Sequence, residues 1–139
     1  MRYNEFDTSG TTDRNSKTCV IFGGAGYIGT NLARHFLSRG RFSHVHLADI
    51  RKSPLEGKPG ISCSNTDVRG TISPELTDNA PDWIINLAAV HREPGHQPHE
   101  YYETNIFGAH NVTRYAEAVS CQHIYFTSSI AVYGPTEGP

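Results

Sequence analysis

Residues 17–29 read KTCVIFGGAGYIG, and this stretch decides the fold. Its first six residues are rich in β-branched and aromatic side chains and stop at a cluster of glycines, as a buried parallel strand does where it enters a turn. Apolar residues then recur at helical spacing over residues 27–39, and Gly40 follows as a helix stop. The stretch therefore predicts a strand, a glycine-rich turn and a helix.

The same alternation continues along the chain. Further runs predict strands at residues 44–48, 61–66, 83–89 and 122–127, and a long helix at residues 98–120. Parallel neighbours need a crossover, which is usually helical and right-handed. We expect an α/β fold with an open, doubly wound parallel sheet of Rossmann type and strand order 3-2-1-4-5. Ligands of such sheets lie beyond the carboxyl ends of the strands where the order reverses, here between strands one and four.

The long helix carries an apolar stripe at spacings of three and four residues, which predicts the face that covers the sheet. The stripe consists of Tyr102, Ile106, Ala109, Val112, Thr113, Ala116 and Val119.

Composition limits the class of protein. With 139 residues, 37% of them hydrophobic, and a net charge of −2, the chain fits one domain and excludes a strongly basic nucleic-acid binder. No apolar run approaches the roughly 20 residues of a membrane helix.

Residues 1–16 contain no apolar signal-peptide segment and predict a flexible tail, which leaves residues 17–139 as the domain. Three cysteines without a CxxC pair, Cys19, Cys63 and Cys121, predict buried thiols in a reducing cytoplasm rather than disulfides.

The glycine turn fits both GxGxxG (Gly24, Gly26, Gly29) and GxxGxxG (Gly23, Gly26, Gly29). Between a strand and a helix, such a turn predicts a dinucleotide-binding site in which the phosphates contact the N-terminus of the helix. The alternative is a glycine-rich turn that binds no ligand. Because no GK[ST] follows, the turn is not a P-loop.

An acidic residue follows the second strand. Asp49 lies 26 residues after Gly23, where a carboxylate accepts ribose hydroxyls and repels a 2′-phosphate. The sequence therefore favours NAD over NADP, and the adjacent Arg51 and Lys52 leave NADP as the alternative. An ordinary surface turn is the other interpretation of Asp49.

Several motifs occur together in order: GGAGYIG at residues 23–29, Asp49, Asp67–Val68, NLAA at residues 86–89, PHEYYETNIFGAHNV at residues 98–112 and FTSSIAVYG at residues 126–134. Over residues 17–139 the chain resembles the extended short-chain dehydrogenase/reductase family. The resemblance is to its NAD-dependent sugar-nucleotide epimerases and dehydratases, the group that includes the UDP-glucose 4-epimerases. It implies an isomerase or dehydratase that uses transient hydride transfer at a sugar carbon.

The resemblance also implies roles for individual residues. Beside Gly23, Gly26 and Gly29, the implied cofactor-binding residues are Tyr27 and Ile28 at the pyrophosphate, Asp49 and Ile50 at the adenosine ribose, Asp67 and Val68 at the adenine, Leu87, Ala88 and Ala89 at the inner face, and Thr104, Asn105 and Thr127. His91 stands where the family often has a lysine that reaches the cofactor. Ser129 would hydrogen-bond the reacting sugar hydroxyl and is the predicted catalytic residue. The alternatives are packing for the alanines, helix polarity or an interstrand brace for Thr104 and Asn105, and a turn or helix cap for Ser129.

One departure concerns the catalytic base, which in this family is a tyrosine with a lysine four residues later. No tyrosine of this chain has that partner. We therefore expect the N-terminal part of a longer enzyme, or a truncated gene product, without strand six, without the sugar-nucleotide domain and inactive alone. A non-catalytic NAD-binding regulatory module and a reductase of the same superfamily are the alternatives. The expected partners are a sugar nucleotide and, for the full-length protein, a second copy in a cytoplasmic homodimer, with no nucleic acid or membrane.

The histidines predict no metal site. His91, His96 and His99 are typical of an exposed loop, and His44 and His46 share one face of the second strand.

Overall fold

The computed structural model describes residues 17–91, 95–129 and 133–134. The predicted tail at residues 1–16 lies outside the described residues. Five strands form one sheet: β1 (Thr18–Phe22), β2 (His44–Asp49), β3 (Ile61–Asn65), β4 (Trp83–Asn86) and β5 (His123–Phe126). All four pairings are parallel and the order is β3-β2-β1-β4-β5, so the predicted fold class is confirmed.

The helices lie on the two faces of the sheet. Helix α1 (Tyr27–Ser38) follows β1, and a 3₁₀ turn (Pro74–Leu76) precedes β4. The long helical stretch consists of α2 (Pro98–Tyr101), a π segment (Tyr102–Phe107) and α3 (Gly108–Ala118). Alternate residues of β1 enter two cores, Val20 and Phe22 with α3, Cys19 and Ile21 with α1. This burial on both faces explains why β1 is an uninterrupted run rather than an alternating one.

The predicted apolar stripe is correct for α3 and wrong for the π segment. Val112 and Ala116 are buried, whereas Tyr102 is 65% and Ile106 59% exposed. A π turn contains one residue more than an α turn, so the face before it is rotated relative to the face after it. Tyr115, which lies outside the predicted stripe but three residues after Val112 on the same face of α3, is also buried, and its ring meets Phe22 edge to face at 5.7 Å.

The fourth strand is shorter than predicted. It ends at Asn86 rather than Ala89, because the Asn86 side chain accepts the Ala88 N–H at 3.1 Å and turns the chain away from the sheet.

Two helices end in the same hydrogen-bonded motif. After α1, the Arg41 N–H bonds to the Phe36 carbonyl across Gly40, which has a φ of +61° as predicted. After α3, the Cys121 N–H bonds to the Ala116 carbonyl across Ser120, which has a φ of +54°. Glycine tolerates this left-handed conformation and serine is strained in it.

The outer strands have different surfaces. All four residues of β5, the outer strand next to β4, are exposed. At the opposite edge, His46 is only 6% exposed and its ring lies between Ser62 and Ser64 of β3, at 2.7 and 2.8 Å. The Ser62 and Ser64 hydroxyls on the outer strand β3 are thus hydrogen-bonded to the His46 ring.

The cysteines are free thiols. Cys19 is buried as predicted, and burial raises its pKa from 9.0 to about 12, so the thiol stays protonated at neutral pH. Cys63 and Cys121 are only half-buried, so the prediction of buried thiols is wrong for these two.

Candidate functional site

The glycine loop packs backbone against backbone. Gly23 has a φ of +75°, and a Cβ there would lie 2.7 Å from the Ala88 nitrogen. A Cβ on Gly29 would lie 2.7 Å from the Gly24 Cα, and one on Gly26 3.2 Å from the Gly23 carbonyl oxygen. Side chains at these positions would push the loop away from β4 and from its own helix. The fold around the site therefore requires glycine at Gly23 and Gly29, and a Cβ at Gly26 would make a tight contact.

The loop opens onto the N-terminus of α1. Gly26 is the N-cap residue, no side chain caps the helix, and its first turn contains no acidic residue. The first N–H groups of a helix have no intrahelical partner, and the helix dipole favours an anion near them. Tyr27 and Ile28, the predicted pyrophosphate residues, are exposed here, Tyr27 at 86%. The geometry suits a phosphate group.

Asp49 ties the end of β2 to the glycine loop. The residue is 7% exposed, and its carboxylate accepts the Ala25 N–H and the Arg51 N–H, each at 2.9 Å. The Arg51 guanidinium lies 3.6 Å away. Each carboxylate oxygen has a second lone pair, so ribose hydroxyls remain compatible with these contacts. Ile50, predicted beside Asp49 at the ribose, is exposed.

Asp67 and Val68 follow β3 and differ in their surroundings. The Asp67 carboxylate is bound by the Arg69 guanidinium through contacts of 2.6–3.0 Å, and this hydrogen bonding lowers the pKa of Asp67. The Val68 side chain is buried, and a Cβ on Gly108 would lie 2.8 Å from it. The Val68 side chain is therefore not available to a ligand. Gly108, which no sequence pattern singled out, lets α3 approach Val68 closely.

The segment after β4 is held by the π segment. Asn105 accepts the Val90 N–H at 2.8 Å and donates to the Val90 carbonyl at 2.9 Å. Of the residues predicted beside the cofactor in this region, Leu87, Ala88 and Thr104 are half-buried, and Ala89 and His91 are exposed. Asn105 thus braces the segment that follows β4.

Two predicted residues follow β5. The Thr127 N–H and hydroxyl both donate to the Asn86 carbonyl at 3.3 Å, which joins the ends of β5 and β4. Ser129 lies three residues beyond β5 and is exposed. Both residues and the glycine loop lie beyond the carboxyl-terminal ends of the strands, on the same side of the sheet.

The histidines of the second half form no metal cluster. His96 lies 3.4 Å from Glu100, and the described part of the chain contains no group of three or more His, Cys, Asp or Glu residues placed to hold a metal ion. Within that part, no helix is both long and apolar enough to cross a membrane.

An open parallel sheet of order β3-β2-β1-β4-β5, with a glycine turn between β1 and an uncapped helix, defines a Rossmann-type protein of the nucleotide-binding class. The chain belongs to the NAD dependent epimerase/dehydratase family, whose model matches residues 19–139.

Known proteins agree with this assignment. The UDP-glucose 4-epimerase of Halalkalibacterium halodurans is 29% identical over 119 residues, which cover 83% of this chain and 35% of that protein. The crystal structure of Helicobacter pylori ADP-L-glycero-D-manno-heptose-6-epimerase has a TM-score of 0.74 and 27% identity, covering 93% of this chain and 44% of that one. The Bordetella bronchiseptica enzyme WbmG in complex with NAD has a TM-score of 0.75 and 22% identity, covering 92% and 42%. The chain thus spans 35% of the length of its curated epimerase relative.

Proposed function

We propose that this chain binds NAD at the glycine loop and forms the cofactor-binding part of an enzyme that epimerises or dehydrates a nucleotide sugar. The observation that carries the proposal is the junction of β1 and α1. There, glycines whose Cβ positions fall against backbone lead into a helix with neither a side-chain cap nor an acidic first turn. Membership of the family and the NAD complex of a structural neighbour support it.

The residues of the chain fit a dinucleotide. The first N–H groups of α1 would bind the pyrophosphate, under the exposed side chains of Tyr27 and Ile28. Asp49 would accept the ribose hydroxyls with its remaining lone pairs. Asn105 would act as a positioning residue, because it holds the segment after β4 in place.

The reaction needs groups at the sugar as well. Bound NAD would supply transient hydride transfer at a sugar carbon. Ser129, exposed after β5, would hydrogen-bond the reacting hydroxyl. No tyrosine of these 139 residues has a lysine four positions later, so the base would come from outside them.

Calorimetric titration with NAD tests the proposal. Gly26→Ala adds a methyl group 3.2 Å from the Gly23 carbonyl oxygen, in the space that a pyrophosphate would need. It should weaken NAD binding at least about tenfold. The control, Gly70→Ala, makes an ordinary 3.6 Å contact and should bind NAD like the wild type. Unchanged NAD affinity in a Gly26→Ala variant with wild-type circular dichroism would contradict the proposed site.

The missing tyrosine–lysine pair also favours a second candidate, a non-catalytic NAD-binding regulatory module. The coding sequence beyond Pro139 discriminates between them. A tyrosine followed four residues later by a lysine, in frame, supports the enzyme, and a stop codon supports the module.

A further inference from the structure

A row of polar side chains runs along the two outer strands β2 and β3. His44 Nε2 lies 2.7 Å from Ser62 Oγ, which lies 2.7 Å from His46 Nδ1. On the other side of the same ring, His46 Nε2 lies 2.8 Å from Ser64 Oγ, which lies 2.7 Å from Thr66 Oγ1. Side chains two residues apart share one face of a strand, which places these five residues in a row. We call this row of four hydrogen bonds the polar chain.

The polar chain ends at the candidate site. Thr66 directly follows β3, precedes Asp67 and is half-buried. Its N–H donates to the Asp49 carbonyl at 3.0 Å, and the Asp49 carboxylate accepts the Ala25 N–H of the glycine loop at 2.9 Å. Among the described residues, the Thr66 hydroxyl has Ser64 as its hydrogen-bond partner. A hydroxyl both donates and accepts, so Thr66 keeps hydrogen-bonding capacity beside Asp49.

The polar chain is fully hydrogen-bonded in two arrangements, in which the hydrogens point in opposite directions. Each serine hydroxyl has one hydrogen, and a neutral imidazole donates through one nitrogen and accepts through the other. If His46 carries its hydrogen on Nε2, it donates to Ser64, Ser64 donates to Thr66, and the Thr66 hydrogen is available to a further acceptor. If His46 carries its hydrogen on Nδ1, every bond is reversed and Thr66 donates to Ser64. At the site, the two arrangements therefore differ in whether Thr66 can donate to a ligand.

The His46 ring is able to exist in either of these neutral forms. It is 6% exposed, and burial lowers its pKa to about 4, so the ring is uncharged at neutral pH. A ligand shifts an equilibrium between two arrangements only if it interacts differently with them. A ligand atom that accepts a hydrogen bond from Thr66 does so, because it stabilises only the arrangement in which this hydroxyl hydrogen is free.

We propose that Thr66 is a further binding residue of the site, whose hydroxyl donates to an acceptor atom at the adenosine end of the dinucleotide, and that His46 is the positioning residue that fixes the direction of this hydroxyl. The adenosine end is the part of the ligand concerned, because Thr66 is hydrogen-bonded to Asp49, where we place the ribose. Binding then selects the Nε2–H tautomer of His46. This inference rests on the proposed dinucleotide function of the site.

Calorimetric titration with NAD and with 5′-ADP tests the contact from Thr66. Thr66→Val replaces the hydroxyl by a methyl group of similar size and should weaken both ligands about tenfold. Thr66→Ser keeps the hydroxyl and should bind both within about twofold of the wild type. The control is Thr113→Val on α3, which removes a hydroxyl that donates to the Ala109 carbonyl at 3.0 Å and should leave both affinities unchanged.

Nitrogen NMR of the His46 ring at neutral pH tests the positioning role and needs no variant. The wild-type complex with NAD should carry the ring hydrogen on Nε2. In Thr66→Val, Ser64 has no hydroxyl to donate to and turns its hydrogen toward His46, so the ring should carry its hydrogen on Nδ1 with or without NAD. A hydroxyl that only stabilised the fold would not link the tautomer of this ring to the ligand.

Three results would overturn the inference: wild-type affinity in Thr66→Val, equal weakening by Thr66→Val and Thr66→Ser, or an Nδ1–H ring in the wild-type NAD complex. If the wild type binds neither NAD nor 5′-ADP, the proposed function fails and this inference fails with it. If the wild type binds NAD and Gly26→Ala weakens binding while Thr66→Val does not, only the inference about Thr66 and His46 fails.

Discussion

Acidification from pH 7 to pH 5 should destabilise the fold through His46. The ring is 6% exposed and lies between two serine hydroxyls on β3. Burial, together with a smaller effect of the nearby His44, lowers the pKa of His46 from 6.5 to about 4. The neutral ring is therefore the form that the folded state prefers.

The direction of the change in stability with pH follows from the number of protons that each state binds. Because the pKa is lower in the folded state, the unfolded chain binds more protons between pH 6.5 and about pH 4. Stability is complete above this window and is lost as the pH falls through it. At pH 5 the unfolded histidine is almost fully protonated and the folded one almost neutral, which gives a loss of about 2 kcal/mol relative to pH 7.

Urea unfolding at both pH values measures this loss. His46→Gln should have a free energy of unfolding that changes about 2 kcal/mol less between pH 7 and pH 5 than that of the wild type. The control is His110→Gln, at an exposed position on α3, which should keep the wild-type difference. The lowered pKa values of Asp67 and Glu100 also cost stability in acid, equally in all three proteins.

An equal pH dependence in His46→Gln and the wild type would refute the reasoning. An NMR titration of the His46 ring in the wild type gives an independent check that needs no variant. Half-protonation of the folded ring near pH 6.5 would contradict the effect of burial.

Three further outcomes are expected. Ser120→Gly should raise the free energy of unfolding by about 1 kcal/mol in chemical denaturation, because glycine adopts a φ of +54° without strain, while Gly40→Ser in the matching motif should lower it. Light scattering at rising concentration should show self-association through the exposed edge of β5, and Phe126→Lys should suppress it; a wild-type monomer independent of concentration would mean that this edge is covered. The purified chain with NAD and UDP-glucose should show no epimerase or dehydratase turnover, since general acid–base catalysis contributes about 10²- to 10⁴-fold, and substantial turnover would show that the base has been misplaced.

The helix stops illustrate how far local sequence is informative. Gly40 was predicted as a left-handed stop from its position after an apolar helical run, and its φ of +61° confirms this. Ser120 ends α3 with the same hydrogen bonds and gave no such signal, because serine is not typical of that conformation. The conformation there follows from where α3 must end to let β5 enter the sheet.

The candidate site, too, could be predicted only in part from the sequence. The motif at residues 23–29 and Asp49 were predicted from spacing, and the structure places them in contact through the Ala25 N–H. The pairing of Asp67 with Arg69 was missed, although the repeated Asp-x-Arg pattern is visible in the sequence. A pattern of charges does not show which arginine donors are already bound, because that depends on side-chain geometry.

The alternation of strands and helices, the parallel sheet order and the position of the glycine loop can be predicted from the sequence, since they depend on hydrophobic period and turn residues along short stretches. The buried face of the long helix cannot, because the π segment rotates Tyr102 and Ile106 into solvent. The packing also makes His46 a buried neutral ring, and it leaves the Arg51 guanidinium without a hydrogen bond to any residue that the structure describes. Both properties arise from residues brought together from different elements, and no local pattern contains that information.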